Sequence, residues 1–83
     1  MSVKATHSQA LRRAFGAQVR HFRTSRGLSQ TAFAVACKLD PNYIGGVERG
    51  ERNPTLENIA KIAKALKVPV SLLVAGVDTQ IVD

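Results

Sequence analysis

Apolar residues recur at helical intervals along most of this chain. The first series contains four large side chains, Leu11, Phe15, Val19 and Phe22. Their spacings of four, four and three positions place them on one face of a helix. We predict that this helix is capped by Ser8 and stops at Gly27. Residues 1–7 are polar and without pattern, so they are expected to form a flexible N-terminus.

Capping residues divide the middle of the chain into two short helices. Ser29 is a suitable N-cap for a second helix over residues 30–37. Asp40 is a suitable N-cap for a third helix over residues 41–48, whose first residue is a proline. Proline is tolerated there because the N–H it lacks would have no partner in the first turn. Gly50 then follows as a plausible left-handed end of the third helix.

Two further helices are predicted after a polar loop. Thr55 caps the fourth, whose apolar face consists of Leu56, Ile59, Ile62, Ala63 and Leu66. Pro69 separates it from a short, very apolar fifth helix that ends by Gly76. The tail, residues 77–83, has no clear pattern. The fold class is therefore all-α, with five helices in one domain over residues 8–76.

Composition adds a strongly basic charge. Lys and Arg number 12 against 6 Asp and Glu, a net charge of +6, and the first 39 residues contain no acid. Such a balance suits a phosphate backbone or an anionic membrane surface, although a basic protein without a polyanionic partner remains an alternative. We expect no membrane partner and no organellar transit peptide, because the apolar face of the first helix leads directly into the core pattern.

The residues that carry catalysis or bind metals are too few for an enzyme. Cys37 is the single cysteine, and His7 and His21 are far apart in the sequence. One cysteine cannot form an internal disulfide, which favours a reducing compartment, and no signal peptide or transmembrane stretch is visible. We therefore expect a cytoplasmic protein that is not an enzyme and has neither a metal site nor a cofactor, with Cys37 as a buried structural thiol.

The third helix has an unusual outer face. Projected at 100° per residue, Ile44 and Val47 point inward, and the opposite face consists of Asn42, Gly45, Gly46 and Arg49. Two glycines inside a helix cost about 1 kcal/mol each relative to alanine. Close approach of another surface would explain them. That surface is either a neighbouring helix or the floor of the DNA major groove, where thymine methyls pack against small residues.

Three stretches carry a resemblance to a known family: VRHFRTSRGLSQTAFA, CKLDPNYIGGVERGERNPT and IAKIAKALKVPVSLL. Together they resemble the lambda-repressor-like, or Xre-type, helix-turn-helix DNA-binding family, over roughly residues 15–76. The resemblance implies a five-helix lambda-repressor-like domain that binds DNA as a symmetric dimer. It implies that Gln30 holds a phosphate, that the third helix enters the major groove by its N-terminal end, and that the fifth helix helps dimerisation.

The resemblance also implies the site residues. The predicted base-reading face is Pro41, Asn42, Tyr43, Gly45 and Gly46. Because proline and glycine offer no side-chain donor, direct hydrogen bonds to bases fall mainly to Asn42, and DNA shape would have to supply further selectivity. The predicted phosphate contacts are Gln30, Lys38, Arg49, Arg52 and Asn53. Lys38 and Arg49 could equally be ordinary surface charges, and Arg52 could pair with Glu51 or Glu57. Lys38 stands at a turn position often taken by glycine.

Two structural features complete the prediction. The resemblance implies an ion pair between Arg23, late in the first helix, and Glu48, near the end of the third. The sequence adds that Glu48 flanks the buried face of its helix, where an unpaired carboxylate would be costly. The dimer interface is predicted at Val70, Leu72, Leu73 and Val74, which are more apolar than so short a helix can bury. The alternative is that all four pack inside. Two copies about 34 Å apart would read an inverted repeat.

The function predicted from these features is sequence-specific transcriptional regulation. The expected protein is a stand-alone repressor or autoregulator, of the kind found with phages or restriction–modification systems, that binds an inverted-repeat operator as a homodimer. Its partners would be double-stranded DNA and a second copy of itself, with no small-molecule ligand. The alternative is a protein-interaction module of the same fold, such as an antitoxin or adaptor.

Overall fold

The computed structural model describes residues 3–80 of the chain. Five α-helices follow one another: α1 Val3–Ser25, α2 Gln30–Cys37, α3 Pro41–Glu48, α4 Leu56–Leu66 and α5 Val70–Leu73. A 3-10 helix, Ala75–Gln80, follows them. The described residues include no strand, so the prediction of a five-helix, all-α fold is confirmed. Over the same residues, no helix is both long and apolar enough to cross a membrane.

Side-chain caps start the three middle helices at the predicted residues. The side-chain oxygens of Ser29, Asp40 and Thr55 accept hydrogen bonds from backbone N–H groups two or three residues later, at 3.0, 2.7 and 3.1 Å. Each bond satisfies one of the N–H groups that the first turn of a helix leaves without a partner. The bounds of α2, α3 and α4 are therefore set locally, which is why the sequence predicts them well.

The two ends of the chain differ from the prediction. Helix α1 begins at Val3, so Ser8 lies inside the helix and is not its cap. No glycine or proline precedes it to interrupt the helix, and adding a residue to an existing helix costs little. At the other end, α5 stops at Leu73 and the 3-10 helix follows, with Val77 packed against the core. Residues 1–2 and 81–83 of the predicted termini lie outside the described residues.

One apolar core joins all five helices. Its buried members are Phe15, Val19, Phe33, Ala34, Cys37, Ile44, Val47, Ile62, Ala63, Leu66 and Leu73. The helix pair α2–α3 contributes five of them, so the pair is fixed against α1 and α4 by the removal of apolar surface from water. The orientation of α3 is consequently a property of the whole domain.

A close crossing of α1 and α3 depends on Gly16. A Cβ atom at this position would lie 2.7 Å from the backbone oxygen of Glu48 and closer still to that of Val47. The next loop is held to the same helix, because Arg12 Nε donates a hydrogen bond to the Gly50 carbonyl oxygen at 3.2 Å. Gly50 itself has a φ of +76°, as expected for a left-handed helix end. The C-terminal end of α3 is thereby clamped to α1.

Lysines occupy left-handed backbone positions at two helix ends. Lys38 after α2 has a φ of 60°, and Lys67 after α4 has a φ of 59°. Behind Lys38, the Leu39 N–H donates to the Ala34 carbonyl oxygen at 3.0 Å, which is the bond of a Schellman ending. A left-handed non-glycine residue costs roughly 1–2 kcal/mol. This tight ending turns the chain from α2 directly into α3.

Cys37 is a buried thiol in this core, with 2% of its surface exposed. Desolvation raises its pKa from 9.0 to about 11. Between these values the unfolded chain has released the thiol proton while the folded chain retains it, so the protein should lose stability as pH rises from 9 to 11. Below pH 9 the thiol is protonated in both the folded and the unfolded chain, so its contribution to the free energy of unfolding does not change with pH.

We expect this loss to reach about 2–3 kcal/mol at the upper end of that range. Urea denaturation at several pH values would measure it, with Cys37→Ala as the control, because the alanine variant retains every titrating lysine and loses only the thiol. Parallel stability curves for the two proteins from pH 8 to 11 would contradict the expectation.

Candidate nucleic-acid interface

The predicted base-reading residues lie on the first two turns of α3. Pro41 and Asn42 are exposed on the first turn, beside the capping carboxylate of Asp40. Tyr43 is half-buried, and its hydroxyl accepts a hydrogen bond from Asn58 Nδ2 at 3.2 Å. The N-terminal end of α3, which is predicted to enter the major groove, is thus open to solvent. Tyr43 is held in place beside it by its hydrogen bond with Asn58.

The glycines of α3 are not bare, contrary to the expectation of an outer face stripped of bulk. Both are buried. A Cβ atom at Gly45 would lie 3.1 Å from Arg49 Nη1 and 3.5 Å from Gln30 Oε1. One at Gly46 would lie 2.9 Å from Arg52 Cγ. Arg49, at the end of α3, leans back towards the N-terminus of the helix and lies over Gly45. Gln30 of α2 and Arg52 of the following loop reach the glycines from outside α3.

These neighbours also decide between the two explanations for the glycines. The three heavy atoms nearest to each site belong to side chains of Gln30, Arg49 and Arg52, and none belongs to the backbone of a packed helix. Close approach of a neighbouring helix backbone therefore does not account for the pair, although the Gln30 side chain of α2 lies beside Gly45. Arg52 is exposed and takes part in no ion pair between residues 3 and 80, so it can rotate away from Gly46 and leave room for an approaching surface, whereas Arg49 is held by an ion pair.

The structure brings together three of the five predicted phosphate-contacting residues. Gln30, Arg49 and Arg52 lie around the two glycines of α3. Lys38 is exposed in a different place, a groove of about 420 Å³ between α2 and α4 that Lys61, Lys64 and Lys67 also line. Asn53 is exposed in the loop before α4. If all five contact one DNA backbone, they do so from separate parts of the surface.

Arg49 is held by a neighbouring carboxylate. Its Nε donates to Glu51 Oε2 at 2.9 Å and its Nη2 donates to Glu51 Oε1 at 3.1 Å. Hydrogen bonding to Arg49, together with the charges of Arg49 and Arg52, lowers the pKa of Glu51. Both side chains are 60% exposed, so the pair adds little to stability. It does fix the plane of the guanidinium.

Arg52 adopts neither of the ion pairs considered for it. Its guanidinium carbon lies 5.5 Å from the centre of the Tyr43 ring, a cation–π arrangement. The ion pairs found between residues 3 and 80 are Arg23–Glu48 and Arg49–Glu51. Arg52 is therefore free to exchange its aromatic contact for an anionic one.

A buried polar network connects α1, α2 and α3. The Arg23 guanidinium donates to Glu48 through Nε at 2.6 Å and Nη2 at 3.0 Å, which is the ion pair predicted from the sequence. The bond to Glu48 raises the pKa of Arg23. Gln30 Nε2 donates to the same carboxylate at 3.0 Å, a contact for which the sequence gives no signal. The amide of Gln30 consequently has one fixed orientation.

The predicted dimer residues separate into two groups. Val70 and Leu72 are exposed by 36% and 43%, and Val74 is half-buried. Leu73 is fully buried, so its place in the predicted dimer interface is wrong. Successive residues of a helix point about 100° apart, so Leu72 and Leu73 face different sides. The orientation of this turn is held by Gln18, whose Nε2 donates to the Leu72 carbonyl oxygen at 2.9 Å. The alternative that all four pack inside is also excluded.

The described part of the chain has no group of three His, Cys, Asp or Glu side chains that could hold a metal ion. The site does hold amides and guanidiniums, of Gln30, Asn42, Arg49 and Arg52, which are donors suited to phosphates and base edges. These donors suit a polyanionic partner.

Comparison with known proteins gives a consistent result. The helix-turn-helix (HTH_3) family model matches residues 19–73. Control protein C.BamHI of Bacillus amyloliquefaciens is 48% identical over 65 residues, which is 76% of this chain and 80% of that protein. Control protein C.SmaI of Serratia marcescens is 46% identical over 55 residues, 66% of each chain.

Solved structures agree with these matches. The restriction-modification controller protein C.AhdI from Aeromonas hydrophila aligns with a TM-score of 0.73 at 47% identity, over 75% of this chain and 94% of that one. The clp gene regulator ClgR from Corynebacterium glutamicum aligns with a TM-score of 0.77 at 30% identity, over 83% of this chain and 73% of that one.

Proposed function

This chain belongs to the helix-turn-helix family of DNA-binding transcriptional regulators, and we propose that it represses or autoregulates transcription as a dimer on an inverted-repeat operator. The single observation that supports this most is the geometry of α3. Its capped N-terminal turn is exposed, and behind that turn lie two glycines whose nearest neighbours are side chains. A major groove admits such a helix end.

The names of the relatives favour one kind of regulator. Three control proteins share 33–48% identity with this chain, and one phage repressor, the cryptic phage CTXphi repressor RstR of Vibrio cholerae, shares 33%. We therefore favour a controller of a restriction–modification system over a phage repressor. On this proposal the protein works on DNA in the cytoplasm and has no catalytic role, cofactor or small-molecule ligand.

Selection of bound duplexes from a random DNA pool would test the function. The expected result is an inverted repeat with half-sites about 34 Å apart, one per subunit. Affinity for the selected site should fall steeply with salt, because bound phosphates release counterions. A pool that yields no preferred sequence, with weak and salt-insensitive binding, would favour the protein-interaction module instead.

Gln30 is the residue on which the phosphate contacts depend most. It stands at the N-terminus of α2, where backbone N–H groups favour an anion, and Glu48 fixes its amide. We expect Gln30→Ala to weaken binding to the operator and to random DNA alike, by about 10-fold, as for loss of a hydrogen bond to a charged group.

Fluorescence anisotropy well below the melting temperature would measure this effect. The matched control is Thr31→Ala, an exposed neighbour on the same turn with no assigned contact. Unchanged binding of the Gln30 variant to both DNAs would reject the phosphate contact.

The dimer is proposed to form through Val70 and Leu72 on α5 and Val74, which follows the helix directly. Leu72 is 43% exposed, so Leu72→Glu should leave the fold intact while placing two like charges across the interface. We expect the variant to sediment as a monomer at concentrations where the parent is a dimer, and to bind the operator at least 10-fold more weakly.

Analytical ultracentrifugation gives the oligomeric state directly. Val35→Glu is the control, because Val35 on α2 is 73% exposed and lies outside the proposed interface. A parent protein that stays monomeric at high micromolar concentration, with and without DNA, would count against the dimer.

A further inference from the structure

The guanidinium of Arg49 has one edge occupied and one edge free. A guanidinium carries five N–H donors, arranged so that Nε and Nη2 share one edge and Nη1 and Nη2 share another. Glu51 accepts from Nε and Nη2 at 2.9 and 3.1 Å. The Nη1/Nη2 edge therefore keeps a parallel pair of donors, and the bond to Glu51 fixes the direction in which they point.

That free edge lies over the face of α3 that is proposed to meet the bases. Arg49 Nη1 is the atom closest to the position a Cβ would take at Gly45, at 3.1 Å. Arg49 follows Gly45 by one turn, so its side chain leans back along the helix towards the first turn. Gly45 has no side chain to prevent this.

We propose that Arg49 reads a guanine in each half-site through its Nη1/Nη2 edge, with Glu51 as the residue that positions it. The proposal rests on the entry of α3 into the major groove, and it replaces the phosphate contact predicted for Arg49 from the sequence. Guanine presents O6 and N7 side by side in the major groove, and an arginine fork donates to both. Other bases do not offer this pair of acceptors.

The carboxylate is the reason to prefer a base over a phosphate. Paired with Glu51, the Arg49 side chain is part of a group with no net charge, which gains little from the negative field of a phosphate. Glu51 is exposed and would itself repel the DNA backbone. A base edge is neutral and does not repel Glu51. Binding to it also costs less conformational entropy when the direction of the guanidinium is fixed before binding.

Two substitutions separate the roles. Arg49→Met removes every donor of the guanidinium together with one positive charge, so binding to a scrambled duplex should weaken only by the amount that the loss of one charge causes, as in the charge control below. Binding to the selected operator should fall by about 10-fold or more, and a repeated selection should lose one guanine per half-site. Glu51→Gln removes a repulsive charge, so it should strengthen binding to the scrambled duplex while weakening binding to the operator.

Lys61→Gln on α4 is the control for a change of charge, because Lys61 is exposed and has no assigned DNA contact. Its ratio of operator to scrambled affinity should match the parent. As a second measurement, 7-deazaguanine at the assigned guanine removes the N7 acceptor. It should weaken the parent and leave the Arg49→Met variant unaffected.

The outcomes distinguish this inference from the function on which it rests. A parent protein that selects no inverted repeat would overturn both. A parent that selects one, while Arg49→Met retains every base preference or Glu51→Gln strengthens both affinities equally, would overturn only the role of Arg49 and leave the regulator in place.

Discussion

Replacement of Gly16 by alanine is expected to cost about 3 kcal/mol or more of unfolding free energy, the upper range for overpacking a core. The added Cβ would lie 2.7 Å from the Glu48 backbone oxygen and 2.9 Å from its carbonyl carbon. These are backbone atoms of a packed helix and cannot rotate away. The strain can be relieved only if α1 and α3 move apart, which would open the core between Phe15, Val19 and Val47.

Thermal denaturation followed by circular dichroism would measure the effect. A loss of 3 kcal/mol corresponds to a fall of roughly 12–24 °C in Tm for a domain of this size. Gly76→Ala is the matched control, since its Cβ would meet the Ala14 side chain at an ordinary 3.8 Å. A Gly16→Ala variant that melts within a few degrees of the parent would show that the crossing is looser than the structure has it.

Replacement of Glu48 by alanine should destabilise the protein by about 3–5 kcal/mol, as for a buried pair that loses one partner. The side chains of Arg23 and Glu48 are only 11% and 3% exposed. Without Glu48, Arg23 keeps its bond to the Leu28 carbonyl oxygen at 2.7 Å but has no counter-charge. Gln30 Nε2 loses its acceptor as well.

A double-mutant cycle with Arg23→Met and Glu48→Ala would isolate the pair. We expect a coupling energy of about 1–3 kcal/mol from urea denaturation. The exposed Arg49–Glu51 pair provides the comparison, with an expected coupling below about 1 kcal/mol. Absence of coupling between Arg23 and Glu48 would mean that each side chain is stabilised by its other contacts.

The parts of the fold that the sequence predicts are those with local causes. Ser29, Asp40 and Thr55 each cap a helix within three residues of themselves, and the apolar spacing of α4 places Ile62 and Leu66 in the core. The order and bounds of α2, α3 and α4 follow from such signals. The family resemblance then supplies how the helices are arranged.

The parts that the sequence does not predict depend on contacts between distant residues. Gly16 is visible only as a glycine in an apolar helix, and its importance appears only when α3 lies across it. Leu72 and Leu73 are equally apolar, and only the direction of one helical turn decides which is buried. Gly45 and Gly46 are buried by the side chains of Arg49 and Arg52. The conformations of these two arginines cannot be predicted from a sequence pattern.

The contrast between the glycines has a consequence for how this regulator can evolve. Gly16 is fixed by opposing backbone and Gly50 by its positive φ, whereas Gly45 and Gly46 adjoin exposed arginine side chains. Alanine at the latter two would gain about 1 kcal/mol each of helix propensity, but Arg49 Nη1 at 3.1 Å and Arg52 Cγ at 2.9 Å from the new Cβ atoms would have to shift. Mutations there need not pass through unfolded intermediates, so a duplicated gene can change its target DNA in single steps. Two descendants could then serve separate operators in one cell with the same scaffold.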